Sequence, residues 1–427
     1  MRKSEAGFSG LSEDLSSEAG LRHRYLLWLT EEGAIAKSIP VLLDGFLRFL
    51  NAEGFSIRRC NLATDTIHPQ MSGLRHVWFH RAIDPGAVNP QVVVKRRQYL
   101  IGSAMIDEIF FNATNYDNPQ YRASPFCRVD QDGELYDIVR PAGEIQPYPL
   151  FEDLLEQGCS AYFGMKLNSF GGMRQKIGLV TDLCGGLSIR QIDDLRWMLR
   201  LATLPLNTLV EYNIKTTLVR SYIGRDPGER VCEGMIELGR VVEIDAAIWF
   251  SDLRDFTAIS DTLDAEALVE HLNAYFEQVV TPIYEHGGEV LKYVGDAILA
   301  IFPVANFASA TEACNAALAA VFEAEARLQA MNAERSARGS VRLNHGVALH
   351  FGTAQYGNIG SLERLDFTLI GREVNIASRI EDLTKAHNEP LLVSEPFVNL
   401  CTAVARPIGS FKLRGIAVPT QVFAIER

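Results

Sequence analysis

From Ala246 onward, short β-prone runs alternate with long amphipathic stretches, and this alternation restricts the C-terminal half of the chain to a layered α+β fold. A continuous apolar run reads as a buried strand ending at Phe250. An amphipathic helix follows near residues 265–286, then a hairpin over 289–302 and an Ala-rich helix from Ala308 to Ala333. A strand over Val341 to Phe351, a strand ending at Ile370, a helix from Glu373 to Ala386 and terminal strands complete the pattern.

Two places in this frame put carboxylates where they are costly. The segment AAIWFSDLRDFT, Ala246 to Thr257, ends a buried strand abruptly in Ser-Asp-Leu-Arg-Asp. An acid there needs a counter-charge or a metal, which makes Asp252 a candidate ligand. Helix capping is the other reading, because Asp252 or Asp255 could cap the helix around Ala265 to His286. In GGEVLKYVGDAILAIFP, Gly287 to Pro303, β-prone residues flank a tight turn with Asp296 at its tip. An Asp in that position is ordinarily a turn former.

Taken together, FSDLRDFT and LKYVGDAILAIFP resemble the two metal-binding segments of class III adenylate and guanylate cyclases. FTLIGREVNIASRIE, Phe367 to Glu381, is similar to a third motif of that family, in the same order. The resemblance implies a ferredoxin-like βαββαβ domain over 241–427 that converts ATP to 3′,5′-cyclic AMP and pyrophosphate. It implies two Mg²⁺ or Mn²⁺ ions held by Asp252, Asp296 and the Leu253 carbonyl, hard oxygen donors suited to these cations. Asn375 would orient the ribose and Arg379 would stabilise charge on the α-phosphate; they are four apart and share a helix face. Lys292 and Thr368 would read the base, Lys at the first position pointing to ATP over GTP. Thr at the second marks a subgroup that includes bicarbonate-responsive enzymes. Arg414 in FKLRG stands where the family binds the triphosphate, and Arg372 with Glu373 departs from the family's usual pair. One copy of each motif implies a homodimer with shared sites. A guanylate cyclase and a catalytically silent nucleotide-binding module are the alternatives. A diguanylate cyclase would leave the Asn/Arg helix without a role.

Upstream, residues 1–25 read as a disordered tail, rich in Ser, Glu and Gly. Ala34 to Leu50 spaces its apolar residues as an amphipathic helix with Pro40 in its first turn or at a kink. The β-prone pieces FSIRRCNLA, HVWFH, QVVVKRRQYLIG, SAYFGMKLN and KIGLVTDL suggest an antiparallel sheet with flanking helices. Ile192, Leu195, Leu199, Ala202, Leu206 and Leu209 then form a heptad seam, which suits either a dimer helix or one lying on its own domain's sheet. The stretch Tyr162 to Val210 resembles the last strands and closing helix of a GAF-type sensor, implying a GAF-like domain over 26–215 that takes an unknown small-molecule or protein signal. Arg220 to Val242 contains Pro and four Gly residues, so 216–240 reads as a coupling linker and not as one helix.

A net charge of −12 argues against a nucleic-acid partner and leaves little to attract an anionic membrane. The seven cysteines show no CxxC pair or zinc spacing, and no apolar run approaches a membrane span. A cytoplasmic protein with reduced thiols is expected. His76 and His80 would lie on one face of either a helix or a strand; hydrogen-bonding roles are expected of them ahead of metal or haem ligation.

Overall fold

The computed structural model describes residues 18–67, 71, 73–80, 93–111, 118–169, 171 and 173–426, and divides into two compact units, 1–218 and 219–427. In the first, α1 (Glu18–Trp28) and α2 (Ile39–Ala52) precede β1 (Ile57–Asp65), β2 (Gly73–Phe79), β3 (Val93–Ile101) and β4 (Ala104–Phe111). Then come α3 (Pro119–Arg122), α4 (Pro125–Asp132), β5 (Glu134–Ile138), α5 (Leu150–Glu156), β6 (Ala161–Leu167), β7 (Gln175–Thr181) and α6 (Ile189–Ile223). Among the described residues the strands form one antiparallel sheet in the order β3-β4-β2-β1-β7-β6-β5. Pro40 sits in the first turn of α2, where its missing N–H has no helical partner to lose.

Alternation along the strands gives this sheet two different faces. Cys60 and Leu62 of β1 join Leu43, Leu47 and Leu50 of α2 in a core that also takes Ile192, Leu195, Leu199 and Leu206 of α6. The heptad seam is therefore spent on its own unit's core. Arg59 and Asn61 point the other way, to the face where α5 contributes Phe151 and Leu154.

Helical structure begins before residue 25, against the expected tail. Residues 1–17 lie outside the described residues, but α1 begins at Glu18, and Tyr25 is fully buried with its hydroxyl donating to the Met198 carbonyl at 2.7 Å. Its apolar residues cluster at the end of the helix, so the segment shows almost no periodicity.

In the second unit, α7 (Arg225–Cys232) precedes β8 (Val241–Leu253), α8 (Phe256–Ser260), α9 (Ala265–Glu285), β9 (Glu289–Val294), β10 (Ala297–Pro303) and α10 (Ala310–Ala337). β11 (His345–Gly360), β12 (Leu365–Ile370), α11 (Arg372–Ala386), β13 (Leu391–Ser394), α12 (Glu395–Val398), β14 (Ala405–Phe411) and β15 (Thr420–Ile425) complete it. The order β9-β10-β8-β11 is that of a βαββαβ core, with β12 on β11 and β13, β15 and β14 extending the sheet. Within 216–240, α6 runs on to Ile223, and Asp226 ties α7 down by accepting from Tyr356 and Arg230, both at 2.8 Å.

Period-two alternation sets the faces of β8 as well. Ala247, Trp249 and Leu253 face α9 and α10, whereas Ala246 and Ile248 face the side on which α11 packs. Asp252 falls in the second set. No helix among the described residues is long and apolar enough to cross a membrane.

Candidate active site

Capping does not explain Asp252 or Asp255. The cap of α9 is Asp264, whose carboxylate accepts from the Ala267 amide at 2.8 Å, and Asp255 sits at φ 59° before α8 without a side-chain cap bond. Asp252 is the penultimate residue of β8 and half-buried. Its neighbour across the site is Asp296, in the turn between β9 and β10. β10 pairs with β8 such that Ile298 lies opposite Ser251, which carries the hairpin turn to the end of the buried strand.

Burial, and then the Asp296 carboxylate beside it, raise the pKa of Asp252 to about 7. A third acid stands behind this pair. Glu381 of α11 is buried and also pushed up to about 7, first by burial and further by the charges of Asp382 and Asp296, against a hydrogen bond from Thr384. Room for it comes from Gly346, which lies opposite Asp252 on β11; a Cβ there would be 2.6 Å from Glu381 Oε1 and 2.2 Å from Thr384 Oγ1. Glu381 escaped notice in the sequence. The available signal was an acid in the apolar stripe Ala377, Ile380, Glu381 and Thr384, all buried.

Two partly desolvated carboxylates held together must take up a proton or a cation. Among the described residues no three His, Cys, Asp or Glu side chains are grouped for a metal. A pair of acids with open positions suits Mg²⁺, which keeps water and substrate oxygens in its shell. The donor set therefore fits a hard divalent cation.

The remaining candidates lie in three other places. Lys292 of β9 pairs with Asp366 of β12 at 3.2 Å, an exposed contact of about 0–1 kcal/mol that a ligand could replace. Thr368, two residues on, is buried, and its hydroxyl has no hydrogen-bond partner among the described residues. Lys292, Asp366 and Phe367 border a cavity of about 480 Å³ beneath β9 and β12. On α11, Asn375 is exposed and Arg379 pairs with Asp382 at 3.0 Å. Arg414 is exposed in the loop after β14. Among the described residues, none of Lys292, Asn375, Arg379 and Arg414 bonds to Asp252 or Asp296.

Residues 243–415 match the adenylate and guanylate cyclase catalytic domain. The C-terminal unit is a class III cyclase domain. Adenylate cyclase 1 of Rhizobium meliloti (strain 1021) is 33% identical over 180 residues, 41% of this chain and 26% of that protein. Adenylate cyclase of Anabaena cylindrica is 35% identical over 167 residues, 38% of this chain and 32% of that protein. The chain thus spans a third or less of the length of these two curated relatives. The crystal structure of adenylyl cyclase CyaB from P. aeruginosa is 28% identical, with a TM-score of 0.41, covering 44% of this chain and 96% of that one. Elsewhere in the cyclase domain His350 Nε2 meets the half-buried Glu373 carboxylate at 2.6 Å, and this hydrogen bond holds the Glu373 carboxyl below its usual value.

Proposed function

We propose that the chain is an adenylate cyclase, converting ATP to 3′,5′-cyclic AMP and pyrophosphate at sites shared between two copies. The observation that carries this reading is the abutment of Asp252 and Asp296 at the mouth of a buried strand, charges that need a cation. In the reaction the ribose 3′-hydroxyl loses its proton, its oxygen bonds to the α-phosphorus, and the bond from that phosphorus to the β-phosphate oxygen breaks. Two divalent cations, held by Asp252, Asp296 and the Leu253 carbonyl, would make the hydroxyl nucleophilic and neutralise the phosphates.

The other residues contribute binding and charge. Lys292, released from Asp366, donates to adenine N1, and the Thr368 hydroxyl accepts from the adenine amino group. Asn375 orients the ribose, and the planar guanidinium of Arg379 stabilises charge on the α-phosphate as the bond order changes. Arg414 binds the triphosphate. The homodimer reading rests on the single copy of each motif, with the carboxylates of one copy facing the base-reading and Asn/Arg surfaces of the other. The N-terminal unit is read as a GAF-like sensor that sets the output, and bicarbonate as a stimulant; a flat rate across bicarbonate concentrations at fixed pH removes the latter.

Purified chain incubated with ATP or GTP and Mg²⁺ or Mn²⁺, with products identified by mass spectrometry, tests the reading. Cyclic AMP as the main product is expected. Its absence under every condition refutes the proposal, and cyclic GMP as the main product replaces it with a guanylate cyclase.

A further inference from the structure

On the face of the N-terminal sheet that α4 and α5 cover, two arginines lie close together. Arg59 and Asn61 alternate with Cys60 and Leu62 on β1, and register sets Arg59 opposite Phe79 and Val180, and Asn61 opposite Val77 and Gly178. Arg75 on β2 lies opposite Ala63, one step further along the same face. Gly178 is in turn opposite Gly164 on β6, so a row free of side chains crosses two strands. The Tyr162 ring fills that row so closely that a Cβ on Gly178 would be 2.4 Å from its hydroxyl and one on Gly164 2.8 Å from its ring edge.

Above this floor lies a cavity of about 200 Å³. Its apolar wall comes from Phe111, Phe126, Leu150 and Val180, and its polar wall from Arg59, Asn61 and Arg75. Arg75 stands over the Phe111 ring at 4.6 Å and Arg59 over the Phe79 ring at 5.3 Å. Among the described residues, the Arg59 guanidinium has no hydrogen-bond or ion-pair partner, and burial lowers its pKa, with the Asp153 charge offsetting this from beyond contact distance. A guanidinium stays charged even so, and holding it largely out of water without an anion is unfavourable. Asn61 adds a buried amide oxygen with no hydrogen-bond partner among the described residues.

We propose that this cavity binds a small carboxylate carrying a single aromatic ring, its anion on Arg59 and its ring among Phe111, Phe126 and Val180. The size supports one ring and little more: a cavity of about 150 Å³ with apolar walls accommodates benzene. A hydroxyl or amino group on the ring satisfies Asn61. The site belongs to the N-terminal unit alone and does not depend on the cyclase reading, so a binding measurement separates the two.

The test is isothermal titration calorimetry of the full chain with benzoate, 4-hydroxybenzoate and phenylacetate, against the uncharged benzamide and 4-hydroxybenzyl alcohol and against inorganic phosphate. One site per chain is expected, with at least one carboxylate binding tenfold or more tighter than the uncharged compounds and phosphate. Arg59→Met should weaken that carboxylate at least tenfold, with Arg59→Lys intermediate. Asn61→Leu should weaken 4-hydroxybenzoate more than benzoate, a readout that stands if the Arg59 variants fail to fold. No binding by any carboxylate, equal binding by the uncharged compounds or phosphate, or full affinity in folded Arg59→Met overturns the proposal.

Discussion

Replacing Gly346 by alanine should damage the cyclase domain far more than the gain of one methyl group suggests. The added Cβ would sit 2.2 Å from Thr384 Oγ1 and 2.6 Å from Glu381 Oε1. Thr384 cannot swing away freely, because it is fully buried and its hydroxyl donates to the Glu381 carbonyl at 2.6 Å. Overpacking of this kind costs about 1–3 kcal/mol, against a gain of about 0.4–1 kcal/mol from restricting the unfolded chain. A contact as short as 2.2 Å places the cost in the upper part of that range, so the net loss is roughly 1–2 kcal/mol. For a unit of this size each kcal/mol moves the midpoint by about 2–4 °C, so calorimetry should show its transition falling by roughly 2–8 °C. Cyclic AMP formation should fall as well, since Glu381, whose charge acts on Asp252, has to move. Thr384→Ala removes the nearest clash, and the double variant should lose less than the sum of the singles by about 1 kcal/mol. An unchanged midpoint in Gly346→Ala, or strict additivity in the double variant, would refute the reasoning.

Other perturbations address the site directly. Asp296→Ala should abolish cyclic AMP formation while leaving circular dichroism and dimer mass unchanged; normal turnover would remove the two-carboxylate assignment. Mixing an Asp252→Ala chain with an Arg379→Ala chain should restore activity that neither has alone, because one complete site re-forms per heterodimer; no recovery in a mixture shown to exchange subunits counts against shared sites. Acid stability is a separate matter. Burial pushes His345 down to about 4, so the unfolded chain takes up its proton first. Stability is then intact above about pH 6.5 and lost as pH falls towards 4, by roughly 3 kcal/mol. His345→Leu should flatten that part of the denaturation profile, and an unaltered slope would show that other groups carry it.

The catalytic half was legible because its elements are long and their periods agree with their environments. The α9, α10 and α11 helices and the β9-β10 hairpin lie within a few residues of their expected positions. Ends were harder to read. β11 runs on to Gly360 through TAQYGNIG, whose polar and glycine residues look like a loop until β12 pairs with them. In the N-terminal sheet, β4 was missed because AMIDEIFF buries Asp107 and Glu108, acids that alternation treats as exposed. Only the fold supplies Arg96 to the first, at 2.7 Å, and His76 to the second, at 3.1 Å. The same contact gives His76 its hydrogen-bonding partner. The seam on α6 shows the opposite limit: its spacing fits a partner helix or a sheet equally well, and only the position of α2 and β1 decides between them.

The unpaired Thr368 hydroxyl carries one more consequence under the proposed chemistry. A hydroxyl rotor both gives and receives, so it greets the amino group of adenine and the carbonyl of guanine with nearly equal ease. Purine choice would then fall on Lys292 alone, an exposed ammonium already engaged by Asp366. A preference resting on one screened charge is shallow and fades as ionic strength rises. Such a site would favour ATP through abundance as much as through recognition.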